Sequence, residues 1–119
     1  IIYFLMRKIK LADGKRLKHI ENYIIQLNSL IYEIDSYDTF HKDWKLCHAT
    51  AKLIENIFEL SINLSLDLKS ELSQLNWKDM AGMRVILAHK HFKMDWKIVY
   101  ETDIVDIPQL EKLIHPMRQ

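Results

Sequence analysis

Two glycines, Gly14 and Gly82, and two prolines, Pro108 and Pro116, are all the backbone punctuation this 119-residue chain has. A sheet protein of this length reverses direction many times and needs more turn residues than that. The chain is therefore expected to be all-α, and its apolar spacing agrees. Leu17, Ile20, Ile24, Leu27, Ile31 and Ile34 step by three and four residues, the stripe of an amphipathic helix. Asp13-Gly14 is the expected start of that helix. Ser36-Tyr37-Asp38-Thr39 is expected to end it, with Asp38 or Thr39 capping the next.

A second long helix is expected from about His41 into the late sixties. Trp44, Cys47, Ala51, Ile54, Phe58 and Ser61 lie on one stripe, and Leu53, Ile57 and Leu60 widen it. A helix apolar on more than one stripe packs against two neighbours, or against one neighbour and a second subunit. Leu64 to Leu75 is more polar and reads as a connection with at most a short helical turn. Asn76 is expected to cap a third helix that carries Asp79 in its first turn and runs to about Phe92. Asp95 should cap a short helix through Val99 and Tyr100. Pro108 suits the first turn of a last one that ends before Pro116. The architecture is an antiparallel helical bundle of four to five helices, forming a single domain over residues 1–119.

Composition narrows the function. The formal net charge is +1, which excludes a protein that holds nucleic acid by bulk charge alone. Lys8, Lys10, Lys15, Arg16 and Lys18 nevertheless form a local basic cluster, read as a solvated face able to meet phosphates. Cys47 is the only cysteine, so no intramolecular disulfide can form, and a reducing cytoplasm is the expected location. The opening IIYFLMRK is too short to span a membrane and lacks the form of a secretory signal. Residues 1–5 read as an upstream extension before Met6.

The segment Trp77 to Thr102, WKDMAGMRVILAHKHFKMDWKIVYET, concentrates the chemistry. Arg84 and His89 are separated by four residues inside an apolar helical pattern, where neither adds to a core. Arg is a permanent cation suited to phosphate, and His is tuned for proton transfer near neutral pH. Residues five apart on a helix diverge by about 140°, while residues seven apart diverge by about 20°. Arg84 therefore shares a face with His91, and His89 points elsewhere. The pair can meet one substrate if the helix ends or bends near Ala88, or if two copies build a composite cleft. Two plainer readings stand beside this one. Arg84 can be an ion-pair partner of Glu59 or Asp79, and His89 an ordinary surface histidine. His89 and His91 diverge by about 200° on a helix, too far to chelate one ion well, so no metal site is expected. No phosphate loop, nucleophile elbow or HExxH motif is present.

These residues resemble the C-terminal signature of the HepT-like family, toxins of the HEPN superfamily. The matching positions are Trp77, Gly82-Met83-Arg84, four residues, His89, Lys90 and His91, then Asp95-Trp96 and Asp106-Ile107-Pro108-Gln109-Leu110. Arg16-Leu17-Lys18-His19-Ile20 is similar to the opening of the family's first helix. Leu53 to Leu60 resembles its Leu-x-x-x-Ile-Gly-Glu-Ala, with Ile57 and Glu59 matching, Phe58 replacing Gly and Leu60 replacing Ala.

The resemblance implies an all-helical, homodimeric, metal-independent endoribonuclease that acts on single-stranded RNA without a cofactor. It would be the toxin of a type VII-like toxin–antitoxin system, with a small nucleotidyltransferase as cognate antitoxin. Arg84 and His89 would be the catalytic pair, drawn from both subunits. Two residues depart from the pattern. His91 stands where the family has the Tyr that its nucleotidyltransferase can modify with AMP, so it marks the modification-equivalent position and a possible accessory group. Val85 stands where a polar residue is common. Both departures suit an alternative, a non-catalytic helical partner that binds or presents a nucleotidyltransferase's substrate. A plain helical interaction module is the third reading.

Overall fold

The computed structural model describes residues 10–89 and 93–117, and among these every regular element is helical. Helix α1 spans Leu11–Leu30, α2 Tyr37–His41, α3 Trp44–Ile62 and α4 Leu66–Glu71. Helix α5 spans Trp77–His89 and α6 Trp96–Glu101. The chain then passes through a π-helical turn, Thr102–Asp106, into α7, Ile107–Ile114, and ends in a 3₁₀ turn at His115–Met117.

The long helix α3 is the hub, in contact with α1, α2, α5 and α6. Its inward stripe, Cys47, Ala51, Ile54, Ile57 and Phe58, is buried against Leu17, Ile20, Ile24 and Leu27 of α1 and Leu87 of α5 in one shared cluster. The contact between Asp13, in the first turn of α1, and Ser65, just beyond the end of α3, makes those two helices antiparallel. The apolar stripes read from sequence are thus the faces that pack.

Boundaries differ from expectation in several places. Helix α1 begins at Leu11, ahead of Asp13-Gly14, because Asp13 has another task. Its side chain is 1 % exposed and accepts hydrogen bonds from Ser65 N at 2.9 Å and Ser65 Oγ at 2.5 Å. Ile31 and Ile34 lie past the helix yet still pack on the core. Residues 36–39 are not the loop before the long helix. Ser36 caps a separate short helix, accepting from Thr39 N, and Asp43 rather than Asp38 or Thr39 caps α3 by accepting from Leu46 N. Helix α3 ends at Ile62 instead of the late sixties, because Ser65 starts α4 within the expected connection.

Other local readings held. Asn76 Oδ1 accepts from Asp79 N at 3.0 Å at the start of α5. Asp95 Oδ1 accepts from Lys97 N and Ile98 N at the start of α6. The expected run of α5 to Phe92 is described as far as His89, and residues 90–92 lie outside the described residues. Pro108 stands in the first turn of α7 as expected. The helix before it is continuous through the π turn, and the wider turn lets the chain reach a residue that cannot donate a backbone hydrogen bond. Cys47 is buried and its thiol donates to Phe40 O at 3.3 Å; burial pushes the thiol's pKa up. Among the described residues, no helix is long and apolar enough to cross a membrane.

Candidate active site

Helix α5 sets the geometry of the Arg84–His89 pair. Asn76 caps its first turn, and Trp77 Nε1 donates to Leu72 O at 3.2 Å, fastening the turn that enters it. Met80 and Leu87 bury one stripe of the helix against the core. Arg84 is carried at the border of that stripe, and its side chain is 30 % exposed. Its Nε is sealed from solvent and makes no hydrogen bond among the described residues; Glu59 Oε2 of α3 pairs with it at 3.4 Å. Of the two carboxylates expected as possible partners, Glu59 is the one used. Asp79 faces away, into a cleft described below.

His89 is the last residue of α5 and is exposed. The backbone is α-helical from Arg84 through Ala88 to His89, so the chain neither ends nor bends before the histidine. Within one chain the two side chains leave the helix about 140° apart. Between them Val85 and Ile86 are each 42 % exposed, an apolar surface flanking both groups. His91 lies outside the described residues.

Two concavities lie along α3, one bordered by α5 and the other by α1. One, of about 360 Å³, is lined by Phe58, Met80, Met83 and Ile98 together with Asn76, Asp79 and Asp106. Burial and the nearby Asp79 charge push the Asp106 carboxyl above its usual pKa. The other, about 290 Å³, is a groove between α1 and α3 lined by His19, Tyr23, Asn56, Glu59 and Leu60. Glu59 is common to this groove and to the Arg84 ion pair. In the sequence His19 stands out only within the Arg16–Ile20 stretch that resembles the opening of the family's first helix. The signal that could have found the groove is the placement of Lys15, His19 and Tyr23 at four-residue steps.

The basic cluster is divided. Lys10, Lys15 and Lys18 are exposed, Arg16 leans on Asp13 at 3.9 Å, and Lys8 lies outside the described residues. Trp77 is half-buried in the core, and Trp96 sets its ring against His48 with centroids 4.9 Å apart. Phe92 lies outside the described residues. Among the described residues, no three His, Cys, Asp or Glu side chains gather closely enough to hold a metal ion.

The family profile described as Ribonuclease HepT-like matches residues 20–117, nearly all of the described helices and the whole of α5. The chain belongs to the HepT-like ribonuclease family. Curated relatives agree with the family match. A protein of Caldanaerobacter subterraneus subsp. tengcongensis named "Putative RNase TTE0752" is 32 % identical over 103 residues, covering 85 % of this chain and 92 % of its own. "Probable ribonuclease HepT" of Thermococcus cleftensis is 31 % identical over 83 residues, covering 70 % of this chain and 76 % of its own. "Putative RNase MJ1380" of Methanocaldococcus jannaschii is 34 % identical over 80 residues, covering 64 % and 70 %. No solved structure matches. The resemblance of the Arg84–His89 segment and the all-helical HEPN-like fold thus agree with a family assignment that spans most of the chain.

Proposed function

We propose that this HepT-like chain is a metal-independent endoribonuclease acting on single-stranded RNA, the toxin of a toxin–antitoxin pair whose antitoxin is a nucleotidyltransferase. Arg84 and His89 are its catalytic pair, and a homodimer assembles them. The observation that carries this reading is the state of the pair on α5. Arg84 is held at the edge of the core beside Glu59, while His89 is exposed at the end of the same helix.

RNA brings its own nucleophile. The 2′-hydroxyl attacks the adjacent phosphorus, the new O–P bond forms and the 5′-oxygen leaves. His89 exchanges the proton that moves in this displacement, an effect of roughly 10²–10⁴-fold in rate. Arg84 binds the phosphate oxygens through its guanidinium and stabilises the extra charge of the crowded phosphorus. With Nε turned to Glu59, the terminal nitrogens are the ones a phosphate would meet. Because α5 stays helical through His89, one chain splays the two groups apart. A second copy, docked on the apolar surface at Val85 and Ile86, would bring one chain's Arg84 toward the other's His89.

The test is cleavage of single-stranded RNA in EDTA by wild type, Arg84→Ala and His89→Ala. Wild type is expected to cleave, and each variant to lose at least about 100-fold in rate. Cleavage retained by both variants would sink the assignment of the pair. Folded wild-type dimers that cleave nothing would instead favour the non-catalytic partner of a nucleotidyltransferase, a reading to which exposed Val85 lends itself as a docking residue.

A further inference from the structure

The groove between α1 and α3 is bordered by Glu59, the ion-pair partner of Arg84. His19 and Tyr23 form one wall, one helical turn apart, and Lys15 stands a further turn earlier on the same side. Asn56, Glu59 and Leu60 form the other wall. Glu59 closes the groove at one side, with Oε2 3.4 Å from Arg84 Nε. A ligand in the groove therefore lies beside the carboxylate that holds Arg84.

The lining is chemically specific. Tyr23 and Leu60 are half-buried and packed on the core, so they offer an anchored aromatic ring and an apolar floor. The Asn56 amide is half-buried and makes no side-chain hydrogen bond within the described residues, leaving a donor and an acceptor open side by side. His19 is exposed, and Lys15 and Lys18 are exposed on the same helix. The one acidic residue, Glu59, has its charge offset by Arg84. A planar heterocycle with a polar edge, joined to an anionic backbone, fits this set. The cleft on the other flank does not suit such a ligand, because Asp79 and Asp106 repel phosphate there.

We propose that the groove formed by His19, Tyr23, Asn56 and Leu60 is a nucleotide subsite for single-stranded RNA, holding the base next to the phosphate bound at Arg84. The base lies against Tyr23 and Leu60, the Asn56 amide reads its edge, and Lys15 and His19 meet the flanking phosphate. This rests on the RNase reading of the same site and names the part that grips the substrate. It gives the enzyme a preference for the base beside the cleaved bond.

The experiment uses the full chain. Cleavage kinetics and cut positions are read on an RNA of mixed sequence, and affinity is read by anisotropy of a labelled RNA oligonucleotide on the His89→Ala protein. Tyr23→Ala is expected to raise KM and Kd by about 10-fold, the loss of one base–aromatic stack, with kcat within about 2-fold. Tyr23→Phe should keep wild-type values. Asn56→Ala should flatten the base preference at the cut site, and the exposed Lys15→Glu should weaken binding without loss of helicity. Circular dichroism checks folding, and the phenylalanine and surface variants keep the test decisive where Tyr23→Ala is unstable. Should wild type cleave and need Arg84, while Tyr23, Asn56 and Lys15 variants leave KM, Kd and base preference unchanged, the subsite is wrong and the RNase reading stands. The same result with weakened binding of an antitoxin would make the groove a protein-docking site and overturn the proposal. Absence of both RNA cleavage and RNA binding in wild type overturns both.

Discussion

Asp103 is the residue most out of place in this fold. It occupies an inward position in the stripe Val99, Asp103, Ile107, Leu110 and Ile114, every member of which is buried. Asp103 is 3 % exposed, and neither carboxylate oxygen has a hydrogen-bond partner among the described residues. Burial pushes its pKa from 3.8 up to about 6. The unfolded chain loses this proton near pH 3.8 and the folded chain near 6, so between those values the folded state holds more protons. Stability contributed by the neutral side chain is therefore present below pH 3.8 and is lost as pH rises through the window to about 6. Beyond that pH the ionised carboxylate costs about 3 kcal/mol, the free-energy equivalent of the shift. Asp103→Asn keeps the shape and removes the charge. Thermal melts should show the variant gaining on wild type as pH rises from 4 to 7. A difference that does not change with pH would mean that Asp103 is solvated in solution.

At the scale of elements, the joint between α3 and α4 rests on a contact across the bundle. Ser65 caps α4 through Leu68 N at 3.3 Å and at the same time donates its hydroxyl and its backbone N–H to Asp13. A buried carboxylate from the first turn of α1 thus fixes where α3 stops and α4 begins. Asp13→Ala leaves the Ser65 N–H without its acceptor and removes two charge-assisted hydrogen bonds. The expected cost is about 3 kcal/mol in urea unfolding, with faster amide exchange in residues 62–68. A loss below about 0.5 kcal/mol would show that the surrounding packing fixes the joint unaided. Local sequence reading located the caps at Asn76 and Asp95 because an N-cap acts within three residues. It missed the end of α3, since nothing near Ile62 in sequence shows that Asp13 sits across from Ser65.

At the scale of the whole molecule, the question is how two divergent groups serve one phosphate. If each cleft takes Arg84 from one subunit and His89 from the other, a mixed dimer of Arg84→Ala and His89→Ala chains contains one intact cleft. Co-refolding the two inactive variants should restore RNA cleavage to about a quarter of the wild-type level, from one active cleft in half of the randomly assorted dimers. Clefts built within one chain would leave the mixture inactive. A charged substitution such as Ile86→Glu should separate the subunits in sedimentation and abolish cleavage with them, because the exposed Val85–Ile86 surface lies between the two groups.

The sequence alone determined the helical class, the stripes of α1 and α3, and the presence of Arg84 and His89 on one helix. Each of these follows from spacing along a single element, where the 3.6-residue period fixes which side chains share a face. The partnership of Arg84 with Glu59 was one of two options in the sequence, and packing of α5 on α3 chose between them. The tertiary structure by itself decided that Asp13 and Asp103 are buried and that His19, Tyr23 and Asn56 line one groove. A polar residue on an amphipathic helix looks the same in sequence whether water or another helix covers it. Burial depends on the rotation and position of the neighbouring helix, and those are set by contacts between residues far apart in the chain.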